Sequence, residues 1–338
     1  MRKERHIYLE RPEPGAKGIP AACLEGHTAV LGTCGTGKTT TIKRLLAEAY
    51  RSCRLPFLVL EWGRGEYADL VESVPSLRVY TTEADGLPLN LNPLQPEEGI
   101  RIGEHAAAVA RMLADSSGGK VSREMYQRLL LSLYRQFGWD SGQTSCLDPF
   151  RPFPTLWDMG KWLESGEGTG MPEMSERREI CRHLWEVLEI GRKNLYEGCP
   201  RQYFKACGGL TAAELLEAPA VLELDAFSGR AAVFLRELLL FRLRCALSRM
   251  PAERRRKRLL AMEGQVPETA LAGFRGLGAG WVFSQEHPAE LGESLLENIQ
   301  VRIVHALISE RDRRCMEAVL GQPVLSCRGQ RDIRPGAC

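Results

Sequence analysis

No apolar run in this chain of 338 residues reaches the roughly 18 residues that a membrane-spanning helix needs, so no membrane span is expected. The first residues are charged (Arg2, Lys3, Glu4, Arg5) with no apolar stretch behind them, and no signal peptide is expected. Charge of one sign is also missing. Forty-five basic residues stand against 43 acidic ones, for a net charge of +2, so nothing global demands a polyanionic partner. The eleven cysteines form no C-x-x-C pair, and the six histidines show no metal-ligand spacing. That argues against a disulfide framework or a zinc site and for reduced thiols in a cytoplasmic protein. No internal repeat or low-complexity tract is present.

What is present is a glycine-rich octapeptide. Residues 32–39 read GTCGTGKT and fit G-x-x-x-x-G-K-[ST] at Gly32, Gly37, Lys38 and Thr39. Glycines let backbone amides approach phosphate oxygens where a Cβ would clash. The helix that follows aims its positive end at the same phosphates. Lys38 brings a mobile charge to the β and γ phosphates, and the Thr39 hydroxyl is placed to ligate Mg²⁺. The flanks fit this chemistry. His27–Leu31 reads as a buried strand, and Ile42, Leu45, Leu46 and Tyr50 keep helical spacing. The expected nucleotide contacts are Gly32, Thr33, Cys34, Gly35, Thr36, Gly37, Lys38, Thr39 and Thr40, with ATP and Mg²⁺ as cofactors.

Elsewhere the chain alternates strand and helix. Short strands are expected at His6–Leu9, Pro56–Glu61, Leu77–Thr81, Val221–Asp225, Leu259–Glu263, Gly280–Ser284 and Val301–Ile308, and helices at Ala231–Ser248, Pro288–Asn298 and Glu310–Leu320. This predicts an α/β fold, a mostly parallel sheet with helices on both faces. Residues 87–96 carry three prolines and read as irregular. Four helical stretches, Glu104–Ala114, Val121–Phe137, Pro154–Glu164 and Glu176–Leu195, lie between, so 100–217 reads as a helical insertion in one domain spanning 1–338. The tail 328–338 is polar, with Gly and Pro, and is expected to be loose. A basic run, Arg254–Arg258, fits either a solvated loop or a phosphate contact.

A phosphate-loop ATPase also needs acids at strand ends, one for the Mg²⁺ shell and one to polarise the attacking water. Three strands end in an acid, at Glu61, Asp225 and Glu263, and spacing alone does not choose among them.

Several segments together resemble the HerA/FtsK-type P-loop ATPases, which are RecA-like and AAA+-related: HTAVLGTCGTGKTTTIKRLL (27–46), PFLVLEWGRGEYADL (56–70) with its Arg-Gly-Glu-Tyr, LPLNLNPL (87–94), APAVLELDAF (218–227) and WVFSQEHPAEL (281–291). The resemblance implies a RecA-like sheet. It makes Glu263 the Mg²⁺-associated acid, acting with Thr39, directly or through water. It makes Gln285 the sensor of the γ-phosphate or lytic water. It also implies a homo-oligomeric, hexameric ring in which an arginine of one copy reaches the next copy's phosphate. Arg302 is the first choice, with Arg311, Arg313 and Arg314 as alternatives. The chain departs from the family pattern at Gly264, where a second acid usually acts as general base, and at Ser284, where Thr is usual. Either Glu61 takes over as base or hydrolysis is slow.

Three functions follow. The first is an ATP-driven motor moving DNA through a ring. The second is a nucleotide-gated module with little hydrolysis that signals to an effector protein such as a nuclease. The third is a small-molecule kinase with a helical lid, disfavoured by Gln285 and the Arg-Gly-Glu-Tyr segment.

Overall fold

The computed structural model describes residues 5–9, 18–63, 65–82, 86–146, 150–168, 170–188, 209–251, 257–264, 266–321 and 332–335. Two compact units emerge, each assembled from separated stretches. Unit one comprises Met1–Val79, Leu216–Glu223 and Pro251–Cys338; unit two comprises Tyr80–Leu215 and Leu224–Met250. The helices expected between 100 and 217 fall in unit two. That unit also takes in 80–99 and the long helix Gly229–Arg249.

The strands in chain order are β1 (His6–Ile7), β2 (Ile19–Pro20), β3 (Thr28–Leu31), β4 (Phe57–Glu61), β5 (Arg78–Thr81), β6 (Leu87–Pro88), β7 (Ala220–Glu223), β8 (Arg258–Glu263), β9 (Ala279–Gln285), β10 (Val301–Val304) and β11 (Asp332–Pro335). Within unit one the main sheet runs β11-β10-β3-β9-β8-β4-β7. Every pairing is parallel except β10 with β11. β4 and β9 are buried along their whole length, as a parallel sheet covered on both faces demands. The small pair β1–β2 is antiparallel. The Arg78 amide at the start of β5 donates to the Pro219 carbonyl at 3.0 Å.

The core of unit one gathers Val30, Ile42, Leu45, Leu46, Val59, Val221, Ala261, Val282 and Ile303. Ile42, Leu45 and Leu46 belong to the helix Lys38–Cys53, whose apolar positions recur at the spacing of one buried face. That helix stops at Arg54, which adopts a left-handed φ of 55° and returns its amide to the carbonyls of Ala49 and Tyr50.

Unit two is helical: Ile102–Ser116, Arg123–Gln136, Leu156–Ser165, Met174–Leu188, Ala212–Leu215 and Gly229–Arg249. Leu113, Leu130, Leu133, Leu184 and Leu238 are fully buried in it. Thr155 opens one helix with a reciprocal cap. Its hydroxyl accepts the Asp158 amide at 3.1 Å, while the Asp158 carboxylate accepts the Thr155 amide at 2.9 Å. Such a cap is worth about 1 kcal/mol.

Several expected elements come out differently. The helix read over Pro288–Asn298 is two pieces, a 3₁₀ turn Pro288–Glu290 and a short helix Glu293–Glu297, divided at Gly292 with φ 75°. The strand read to Ile308 ends at Val304. The helix Glu268–Arg275 has no counterpart in the sequence reading, nor does the two-residue β6 in the proline-rich stretch. In the tail expected to be loose, Asp332–Pro335 pairs antiparallel with Val301–Val304. Residues 189–195 of the fourth expected helix and Arg254–Arg256 of the basic run lie outside the described residues. Of that run, Lys257 pairs with Glu25, and Arg258 is buried and donates to the Leu216 carbonyl at 3.0 Å. None of the seven described cysteines is in a disulfide.

Candidate functional site

The carboxyl ends of the parallel strands bring most of the sequence-selected residues of unit one together. Reading across that edge, β10 leads to His305, β3 to the glycine loop, β9 to Gln285, β8 to Glu263, β4 to Glu61 and β7 to Glu223. Ligands of open α/β sheets gather at such an edge.

The loop is fixed from both sides. Its first amide, Gly32, donates to the Gln285 carbonyl at 3.1 Å, and the Thr33 amide donates to the Ala306 carbonyl at 3.0 Å. A Cβ on Gly32 would stand 2.6 Å from the His305 Cβ, so only glycine fits there. Gly37 caps the following helix with φ 89°, a left-handed conformation that favours glycine. His305, buried, holds the loop to that helix. Its Nδ1 lies 2.8 Å from the Thr36 carbonyl and its Nε2 3.1 Å from the Thr41 hydroxyl. This makes His305 a structural clamp. Cys34 and Gly35 of the loop and Thr40 of the helix that follows are exposed.

Lys38 rests against its own loop. Its Nζ donates to the Thr33 carbonyl at 3.0 Å, the same oxygen that accepts the Thr36 hydroxyl at 2.7 Å, and it lies 3.8 Å from a Glu286 carboxylate oxygen. Thr39 donates its hydroxyl to Glu263 Oε1 at 2.7 Å. The Tyr67 hydroxyl donates to the same oxygen at 3.1 Å. A hydroxyl and a carboxylate converging on one spot are hard oxygen donors, the set that Mg²⁺ prefers. Thr39 and Glu263 therefore fit the expected ion.

Glu61 is 2% exposed. Its two oxygens accept the backbone amides of Glu66 and Tyr67, at 2.5 and 3.3 Å. Burial pushes its pKa up and the two amides oppose that, while the neighbouring Glu223 and Glu263 raise it further. Glu61 is thus the anchor of the turn that delivers the Tyr67 phenol to Glu263. Burial, and then the Glu263 charge, push that phenol far above its ordinary pKa, so Tyr67 is a hydrogen-bond donor here. Lys43 secures the same turn, donating at 2.6 Å to both the Glu66 carbonyl and Asp69. Of the Arg-Gly-Glu-Tyr segment, Arg64 lies outside the described residues.

Asp225 is exposed and sits two residues past β7. The residue in register with Glu61 is Glu223. Gln285 is 8% exposed, and its amide nitrogen donates to Glu290 at 3.2 Å. Arg302 is not brought to the phosphate loop. Its guanidinium donates to the Leu296 carbonyl at 2.7 Å, closing the end of the short helix Glu293–Glu297, where carbonyls have no intrahelical partner. Arg313 and Arg314 both pair with Glu310. Arg311 is exposed and has no partner among the described residues.

Sequence reasoning missed Glu286, Tyr67 and Glu223 as individual residues. The signal for Glu286 was its position directly after the sensor residue. The signal for Tyr67 lies inside the Arg-Gly-Glu-Tyr segment, which marks the family without singling out the tyrosine as a donor.

Residues 20–131 match the family described as Helicase HerA, central domain. The fold is the RecA-like α/β fold shared with VirB4 and TrwB. VirB4 of Thermoanaerobacter pseudethanolicus superposes with a TM-score of 0.63 at 14% identity, covering 100% of this chain and 97% of that one. The plasmid coupling protein TrwB with the ATP analogue ADPNP gives 0.58 at 14% identity, over 94% of this chain and 78% of TrwB. TrwB with ADP and Mg²⁺ gives 0.55 at 13% identity, over 94% and 82%. Comparison with curated protein sequences finds no match. Among the described residues, no helix is long and apolar enough to cross a membrane.

Proposed function

We propose that this chain binds ATP with Mg²⁺ at residues 32–40 and hydrolyses it to move DNA through a ring of its own copies. The observation that carries the ATPase reading is the 2.7 Å bond between Thr39 and Glu263, residues 224 positions apart. It joins the metal-ligating hydroxyl of the loop to the acid of β8. Thr39 would ligate Mg²⁺ and Glu263 would hold it directly or through water; when bound, the ion neutralises phosphate charge. Lys38 exchanges its Thr33 carbonyl for the β and γ phosphates. Gln285, rooted beside Gly32, senses the γ-phosphate. Arg311, with a free head group among the described residues, replaces Arg302 as the arginine offered to a neighbouring copy.

The DNA part is supported by the helicase named in the family description and by the coupling protein among the structural neighbours. With a near-neutral chain, DNA binding would come from local counterion release, salt-sensitive and indifferent to sequence. A second reading, a nucleotide-gated module that signals to an effector such as a nuclease, is favoured by one observation: Gly264, not an acid, follows Glu263.

The test is Lys38→Ala. Loss of a charge-assisted phosphate contact should weaken ATP binding by about two orders of magnitude. Titration with fluorescent ATP measures it, and unchanged affinity would reject the nucleotide site. Phosphate release with and without DNA, together with the gel-filtration mass in ATP and Mg²⁺, separates motor from module.

A further inference from the structure

We propose that Glu286 is the general base of ATP hydrolysis, the role left vacant by Gly264. The inference rests on reading the site as an ATPase. Glu286 follows the last residue of β9, and β9 lies between β3, which carries the phosphate loop, and β8, which carries Glu263. Its carboxylate is therefore flanked by the phosphate-binding and the metal-associated elements. It is half exposed and lies 3.8 Å from Lys38 Nζ, the group that marks where the β and γ phosphates bind.

Most of the other acids at this edge of unit one are engaged. Glu61 holds two amides. Glu263 accepts from Thr39 and Tyr67. Glu290 accepts from Gln285. Asp312 holds His287 and the Ala289 amide. Glu223 stands on β7, beyond β8 and β4. Among the described residues only Glu286 combines reach, exposure to water and a carboxylate whose sole partner is the phosphate-binding lysine.

The step balances simply. Glu286 takes a proton from water, and the water oxygen forms a bond to the γ-phosphorus. The bond from γ-phosphorus to the bridging oxygen breaks, and its electron pair leaves with the nucleoside diphosphate. The proton on Glu286 then passes to phosphate or solvent. A base works within hydrogen-bond reach of its water, and such contacts tighten when substrate binds.

The experiment is Glu286→Gln in the full chain, with ATP and ADP titrations beside phosphate release. Turnover should fall about 10²- to 10⁴-fold. ATP affinity should hold or tighten up to about fivefold, because glutamine removes a like charge near the γ-phosphate, and ADP affinity should change less. Glu286→Asp, which keeps the charge on a shorter stem, should turn over at an intermediate rate. Turnover of the glutamine variant within about threefold of the unmodified chain would overturn the assignment. So would loss of ATP binding in parallel with turnover, which marks a structural role. An unmodified chain that binds ATP but releases no phosphate overturns the base and leaves the nucleotide site standing. An unmodified chain that binds no ATP overturns the site itself.

Discussion

Each unit contains a histidine, an arginine and an acid in short polar networks, yet the networks end in opposite ways. In unit two they close on themselves. Glu97 and Arg242, 4% and 2% exposed, pair at 2.6 Å; Glu97 also takes the Ala212 amide, and Arg242 also takes the Leu210 carbonyl. His183, fully buried, lies between the hydroxyls of Ser116 at 3.1 Å and Tyr126 at 2.6 Å. A serine next to a histidine is the skeleton of a hydrolase, but these groups have no access to solvent. In unit one two networks at the phosphate loop stop short. Lys38 has a loose partner in Glu286, and Thr39 holds only one carboxylate. The unit-two groups are buried and paired among themselves, with Nη1 alone among the Arg242 guanidinium nitrogens left without a partner, and such buried pairing specifies structure. Networks left with reach at a sheet edge are available for a ligand.

The largest effect that would break this contrast is on Arg242. Arg242→Ala leaves Glu97 charged, buried and short of a partner, at a cost of about 3–5 kcal/mol. The half-exposed pair Arg230–Glu186, at 2.7 Å, provides the comparison. Arg230→Ala should cost no more than about 1 kcal/mol. Tryptophan fluorescence melts serve well here, because Trp139, Trp157, Trp162 and Trp185 lie in unit two. Equal losses from the two variants would mean that burial does not separate the networks.

Next come histidine titrations of opposite sign: burial lowers His27 in unit one as it lowers His105 and His183 in unit two, while the exposed His287 is raised. His105 and His183 are lowered to about 4, chiefly by burial; Arg242 lowers the first further and Arg230 the second, against Glu186 and Glu179. Folded, both stay neutral, while unfolded histidine protonates near 6.5. Between pH 6.5 and 4 the unfolded chain binds more protons, so unit two loses stability as pH falls through that window. His287 runs the other way. Its bond to Asp312 raises its pKa, so its contribution is present below 6.5 and fades as pH rises through the raised value. Melting temperature from pH 7 to 5 should therefore fall, and His183→Asn should flatten the fall. A flat profile in the unmodified chain would remove the account of His183.

Much of unit one was legible because its signals are local. The strand, glycine loop and helix of 27–53 depend on φ at glycines and on apolar spacing, both visible residue by residue. Glu263 was legible only through the resemblance, since three strands ended in acids and nothing local ranked them. The Arg302 contact with the Leu296 carbonyl was not legible, because an arginine on a strand carries no mark of which carbonyls it will meet. The roles of Glu61 and Tyr67 depend on how a turn folds back over its own strand, which spacing does not encode. The break at Gly292 was hidden because apolar positions on either side kept helical spacing.

The smallest effect concerns Gly264, and it tests where the missing base went. Gly264 has a φ of 83°, and an added Cβ would meet no atom within 4 Å. Space is therefore free and the backbone is not. A side chain there costs about 1–2 kcal/mol in left-handed strain. Gly264→Glu and Gly264→Ala should lose the same stability, a few degrees of melting temperature at most. If Glu286 already serves as base, the added glutamate gains nothing in turnover, because a carboxylate on a strained turn cannot improve on one beside Lys38. The companion Glu61→Gln should act through the turn it anchors, loosening Tyr67 from Glu263 and weakening the Mg²⁺ dependence of nucleotide binding before it touches the chemical step. A Gly264→Glu variant that melts like the unmodified chain and turns over about a hundred-fold faster or more, the low end of what general bases supply, would place the vacancy at Gly264 and take the role from Glu286.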